Sequence, residues 1–344
     1  MRLHFTVLHK HAPKKAWKGK TMHPVLRIVL QRLGLGLLTL FTVSVIIFCS
    51  LQMLPGGYAQ NILGQGATAE TVAAFNRELG LDRPAAVRYV EWIGNAVQGD
   101  FGYSYAGLTG TIKRSVSATI APRLYNTFFL AALSASIAVP LSLFLGILAA
   151  LYRDSWFDKA INSVTLTAIA MPEFFIAYVL MYFFAVRHRW FYSLATVNDA
   201  TPFFEHVERV ALPAITLTLV TVAYMMRTTR AAVISLLASP YIEMAQLKGV
   251  SRLHVIVRHA LPNAWAPIAT IIAFSVAYLV VGVVVVEVVY VYPGAGQLMV
   301  DAVSSRDMPV VQGCTLIFAA TYILLNLLAD IVSITTNPRL LHPK

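Results

Sequence analysis

Long apolar runs separated by short polar stretches dominate the chain. Six of them lie near 25–53, 124–151, 160–186, 210–236, 265–290 and 310–335. Each approaches or exceeds the ~20 residues that a helix needs to cross a hydrocarbon core of ~30 Å. The pattern predicts an all-α, polytopic membrane protein with six transmembrane helices. Two polar regions interrupt it. Residues 54–123, between the first and second spans, form the one sizeable segment outside the membrane. A short helix is expected there over Glu70–Leu79, stopped by Gly80, followed by a glycine-rich turn at Gly99-Asp100-Phe101-Gly102.

The second polar region, 237–264, separates the fourth span from the fifth. Ser239-Pro240 ends the preceding helix, because proline lacks an N–H and pushes its predecessor out of the α region. Tyr241 to Lys248 can form two helical turns, and Gly249 is placed to end them with a left-handed residue. Ser251 can cap a second short helix in which Leu253, Ile256, Val257, Ala260 and Leu261 make one apolar stripe, closed by Pro262. On pattern alone this is either a connecting loop lying on lipid headgroups or a surface built to be gripped.

Composition agrees with the pattern: of 344 residues, 58% are hydrophobic and only 12% charged. The net charge of +11 invites a nucleic-acid reading, but its distribution argues against one. Arg2, Lys10, Lys14, Lys15, Lys18 and Lys20 crowd into the 1–24 tail, where anionic lipid is the cheaper partner. With six spans both termini share a side. The larger share of the basic residues falls on the side holding the tails 1–24 and 336–344, the 152–159 loop and the 237–264 region, which predicts that this side is cytoplasmic. Arg227 and Arg230, at the cytoplasmic end of the fourth span, are explained by snorkelling to the interface. The nine histidines show no metal-ligand spacing, and Cys49 and Cys314 read as small hydrophobes. No G-x-x-x-x-G-K-[ST] phosphate loop, nucleophile elbow or HExxH is present.

Glu243-Met244-Ala245, then Gly249, then Leu261-Pro262 resemble the cytoplasmic coupling loop of ABC importer permeases, the "EAA…G…LP" signature. Met244 departs from its alanine and His259 from its isoleucine. Leu54-Pro55-Gly56, the run Leu79 to Pro84, Tyr89, Trp92, Gly99 to Gly102 and Ser104 resemble the first periplasmic segment of the dipeptide/oligopeptide branch, in its "B" subunit. Gly282 to Glu287, Tyr292-Pro293-Gly294-Ala295-Gly296, Arg306-Asp307, Pro309 to Gly313, Asn326, Asp330 and Asn337-Pro338-Arg339 follow the same branch. The resemblance implies a type I importer permease fold moving di- or oligopeptides across the inner membrane. It implies a second homologous permease, two cytoplasmic ATPase subunits that bind ATP and Mg, and a periplasmic binding protein. No cofactor or metal is expected in this chain. Tyr241, Glu243, Ala245, Lys248, Gly249, Leu261 and Pro262 would couple to the ATPases. Gly99, Asp100, Phe101, Gly102, Pro293, Gly294 and Gly296 would shape the periplasmic mouth. The same branch handles nickel chelates, glutathione and opines, so these stand as alternatives. A gradient-driven carrier is the alternative from another class, though no repeat relates 25–186 to 210–335; a scaffold without transport is a third.

Carboxylates within the spans are costly unless paired or facing a cavity. Glu173, in Met171-Pro172-Glu173, falls roughly 20 Å into the third span on a straight helix. It reads as a carboxylate on the substrate path meeting a peptide's amino terminus, with Pro172 loosening the helix beside it. The competing readings are a bond to backbone or partner subunit, or protonation. Glu287, near the outer end of the fifth span, is a second candidate for the path. Asn326 and Asp330 share one helix face and are expected to serve helix packing.

Overall fold

The computed structural model describes residues 24–53, 60, 67–105, 114–198, 200–251, 254, 255, 258 and 261–336. Twelve helices are named here in chain order: α1 (Pro24–Gln52), α2 (Ala69–Glu78), α3 (Ala85–Val97), α4 (Val116–Leu151), α5 (Trp156–Ala170), α6 (Glu173–Leu180), α7 (Phe203–Arg209), α8 (Ala211–Leu237), α9 (Pro240–Leu247), α10 (Leu261–Val289), α11 (Ala295–Ser304) and α12 (Met308–Thr336). A π-helical segment, Met181–Arg187, continues α6. Among the described residues the structure is helical, with one isolated bridge between Tyr103 and Ser115.

Among the described residues five helices are long and apolar enough to cross a membrane: α1, α4, α8, α10 and α12. The sixth expected span, 160–186, is not one straight helix. It is α5 followed by α6 and its π-helical continuation, bent by 107°. The break falls at Met171-Pro172, both extended, with Pro172 at ψ 140°. Proline could not have continued the hydrogen-bond ladder there. The bend also moves Glu173: it is the first residue of a new helix, the end where a carboxylate is favourable, and does not lie deep within a continuous one.

Helix α8 is the hub, packing most extensively on α4 and also on α10 and α5. Small residues make this possible. Along α4, Ala131, Ser134, Ala138, Ser142, Gly146 and Ala149 recur every three or four positions and are buried. At Gly146 an added Cβ would lie 2.8 Å from the Met226 carbonyl oxygen and 2.9 Å from Thr229 Cβ, so the two backbones approach as only glycine permits. Helix α12 packs on α10, and α1 packs on α12, leaving much of α1 apolar and exposed as a lipid-facing element should be. The Arg32–Asp330 ion pair, 3.3 Å, joins α1 to α12 and gives Asp330 the packing role expected of it.

The segment after α1 folds back on the membrane helices. In α3, Tyr89 donates to or accepts from Ser44 at 2.7 Å, and Tyr89 and Trp92 surround Phe48. Helix α2 carries a Thr68–Thr71 capping box and ends at Leu79, with Gly80 at φ +66°, as the sequence predicts. The second span begins earlier than expected, at Val116, because α4 absorbs the end of the polar segment.

Candidate functional site: a cavity at the broken span and the two ends of the bundle

The break between α5 and α6 leaves a cavity of about 550 Å3, completed by α8, α10 and α12. Met171 and Glu173 line it from the joint; Thr221 and Tyr224 come from α8, Ser275 and Tyr278 from α10, and Tyr322 and Asn326 from α12. Its surface is mainly aromatic and aliphatic, and among the described residues Glu173 is the one charged residue in the lining. Ser275 is 4% exposed, and its hydroxyl has no hydrogen-bond partner. Asn326 donates to the Tyr322 carbonyl at 2.9 Å, which leaves its amide oxygen toward other partners. Asn326, expected to serve helix packing with Asp330, is therefore a cavity residue. Pro172 makes the joint, although its own side chain is not part of the lining.

Glu287 does not line this cavity, which corrects the expectation that it lies on the same path. It is fully buried at the far end of α10. The Thr127 hydroxyl donates to its Oε1 at 2.6 Å, and the Gly296 and Gln297 N–H groups donate to Oε2 at 2.8 and 3.1 Å. Thr127 in turn accepts the Ala295 N–H at 2.8 Å. The first N–H groups of α11, which a helix cannot satisfy internally, are thus all taken up by one carboxylate and the hydroxyl bonded to it. Gly294 and Gly296 are the reason it fits. A Cβ at Gly294 would overlap the Glu287 carboxylate, and one at Gly296 would lie 2.7 Å from Val284 Cγ2. Gly294 and Gly296, expected to shape the periplasmic mouth, pack here in a knot around a buried carboxylate.

Neighbouring contacts tie further elements into that end. Tyr290 donates to the Ala177 carbonyl of α6 at 3.0 Å, and its own carbonyl accepts Ala195 N–H at 2.9 Å. Asn126 donates to the Pro293 carbonyl at 2.9 Å. The Tyr292 hydroxyl donates to the Asn126 carbonyl and lies 2.9 Å from His206 Nε2, so that nitrogen carries the proton shared with it. His206 is buried and stacked on Phe129, and burial lowers its pKa. The Gly99–Gly102 turn belongs to the same end: Phe101 packs with Val116, Leu298 and Ala302, while Gly99 and Gly102 take φ +81° and +79°. The Asp100 carboxylate accepts the Gly102 N–H at 2.9 Å, closing the turn. Asp307 binds the Ser104 hydroxyl and, at 3.0 Å, the Tyr105 N–H, holding the polar segment to the α11–α12 corner.

The opposite end carries the polar loop. Helix α9 occupies Pro240–Leu247 and Gly249 follows at φ +76°, the left-handed turn the sequence predicts. Among the described residues nothing lies within 4 Å of a Cβ built there, and the positive φ by itself calls for glycine. Tyr241, Glu243, Lys248 and Gly249 are exposed and Ala245 is half-buried. Ile242 and Val255 are fully buried against Leu237, Ala245 and Val250 and anchor the loop. Leu253, Ile256, Val257 and Ala260, the expected stripe, lie outside the described residues, as do the side chains of Leu261 and Pro262; α10 begins at Leu261. From Leu261 to Glu287 the helix runs about 39 Å, so the loop and the Glu287 knot sit at opposite ends of one rod.

Beside the loop, Arg230 does more than reach for the interface. It grips Asp158 with two bonds of 2.7 Å, and Asn162 and the Asp154 N–H complete the carboxylate's shell at 2.6 and 3.0 Å. Asp158 was not singled out from sequence. Its position four residues before Asn162 on a helix start was the available signal. Among the described residues no cluster that could hold a metal occurs, and both cysteines are free.

Comparison with known proteins adds two family matches. Residues 142–342 match the family described as binding-protein-dependent transport system inner membrane component, and residues 25–131 match the N-terminal region of such membrane components. A provisionally named peptide transport system permease protein of Brucella abortus (strain 2308) is 34% identical over 312 residues, covering 91% of this chain and 98% of the relative. The glutathione transport system permease protein GsiC of Escherichia coli (strain K12) is 37% identical over 315 residues, covering 91% and 98%.

Proposed function

The chain belongs to the family of binding-protein-dependent transport system inner membrane components, and from that premise we propose that it is a translocation subunit of an ABC importer for di- and oligopeptides. The observation that carries this reading is the family match running through the Gly249 loop, together with the left-handed turn in that loop. Hydrolysis of ATP belongs to two partner ATPases. A second homologous permease completes the path, and a periplasmic binding protein delivers the substrate. Both termini and the Gly249 loop face the cytoplasm, where an ATPase can reach Tyr241, Glu243, Ala245 and Lys248. The Glu287 knot and the Gly99–Gly102 turn then face the periplasm. ATPase closure pushes on the loop, and the spans reorient around the cavity as rigid bodies. The likeness to a peptide permease supports the substrate. The likeness to GsiC supports glutathione as the second reading.

The test is uptake of labelled di- and tripeptides, and of glutathione, by cells lacking this chain and complemented at matched membrane levels. Wild type is expected to restore peptide uptake, and Gly249→Asp to insert normally yet restore none. Full uptake by Gly249→Asp would remove the coupling role. Restoration of glutathione uptake alone would replace the substrate.

A further inference from the structure

Glu173 is a half-buried carboxylate that has no hydrogen-bond or ion-pair partner among the described residues and opens onto an apolar cavity. Such a group is costly in a membrane protein unless something arrives to meet it. The Ser275 hydroxyl, buried in the same wall, also lacks a partner. Tyr224, Tyr278 and Tyr322 reach the cavity from three different helices, and the aromatic face attracts cations. Among the described residues no lysine, arginine or histidine is in the lining; Arg227, three residues after Tyr224, stays outside it. The volume of about 550 Å3 falls in the range that holds a small organic ligand.

We propose that this cavity is a charge-selecting subsite that takes an ammonium group standing apart from any carboxylate, with Glu173 as its counter-charge, Ser275 and Asn326 as hydrogen-bond partners and the three tyrosines as its walls. The proposal rests on the importer reading and narrows it. In an α-peptide the amino-terminal ammonium is separated from the carboxylate by the whole molecule. In glutathione the ammonium and a carboxylate share one carbon, and that carboxylate would enter a cavity with no cation to receive it. The subsite therefore favours α-peptides over glutathione within the chain itself, after any choice made by the delivering protein.

The assembled transporter, purified from membranes without a binding protein, separates the possibilities by equilibrium dialysis. Three ligands are compared: alanyl-alanine amide, which carries only the ammonium; N-acetyl-alanyl-alanine, which carries only the carboxylate; and glutathione. Wild type is expected to bind the amide about tenfold or more tighter than either of the others. Glu173→Gln should erase that preference by weakening the amide, and Glu173→Asp should keep it. Equal binding of the three ligands by wild type, a comparison that needs no variant, would overturn the proposal. So would a preference that survives Glu173→Gln, or the failure of all three to bind because the second permease fills the cavity. Adding the binding protein and ATP then tests the importer reading separately. A transporter that prefers the amide but imports no peptide loses the peptide assignment and keeps the subsite.

Discussion

Two glutamates of this chain belong to its apolar helices and are treated in opposite ways. Glu287 receives three hydrogen bonds, sits fully buried and closes the gap left by two glycines. Glu173 receives none and opens onto a cavity with an unpartnered hydroxyl in its wall. A satisfied carboxylate in a membrane protein is a fastening; an unsatisfied one is a vacancy in the chemistry that a ligand can complete. Sequence alone lists the two as equals, and only their surroundings separate them.

The contrast is sharpest under mutation. Glu287→Ala leaves the Gly296 and Gln297 N–H groups without an acceptor, each worth about 1–3 kcal/mol, while the Thr127 hydroxyl keeps the Arg123 carbonyl at 3.2 Å. Loss of most folded protein from the membrane is expected, measured as the fraction surviving detergent extraction and size-exclusion. Gly294→Ala should reproduce much of it through overpacking, about 1–3 kcal/mol. If both variants remain as stable as wild type, the fastening role is wrong.

Next in size is the Asp158–Arg230 pair, in which the carboxylate is nearly buried and the guanidinium partly exposed. Arg230→Met should cost about 2–3 kcal/mol, below the value for a fully buried pair because water still reaches one partner. Thermal unfolding in detergent reads this. A variant indistinguishable from wild type would return Arg230 to simple snorkelling.

A smaller effect is expected from acid. Burial holds the His206 pKa below its ordinary value, so the unfolded chain takes up the proton first as pH falls. The stability contributed by the neutral imidazole is complete above about pH 6.5 and declines as pH drops below that toward the folded value. His206→Gln should flatten the melting temperature against pH in this window; an unchanged slope would assign it to other groups.

The smallest change closes the comparison. Glu173→Gln breaks no bond, so stability should move by no more than about 0.5 kcal/mol. A large loss of folded protein would show that Glu173 is a fastening too.

Much of this molecule can be read from the chain because local rules govern it. Pro240 starts α9, Gly249 ends its loop at positive φ, and Gly80 stops α2. Each depends only on what one residue's backbone permits. Pro172 also marks the break, but a proline sets only the place of a bend, and 107° comes from how α6 packs on α10 and α8. The Asp158–Arg230 bond spans 72 residues and leaves no local trace. In the sequence Glu287 reads as a charge within a span and a candidate for the path, and Gly294 and Gly296 as part of the periplasmic mouth. That the glycines exist to make room for the carboxylate needs the three-dimensional meeting of α4, α10 and α11.

The kinked third span carries a consequence for how the chain is made. Helix α5 and the unit Glu173–Arg187 each contain 15 residues, about 22 Å of helix against a core of ~30 Å. Neither is a self-sufficient stop for the insertion machinery as it emerges from the ribosome. Both half-helices pack on α8, and α5 also packs on α4. Synthesis runs from the N-terminus, so both half-helices are made before the shared neighbour they pack on, α8.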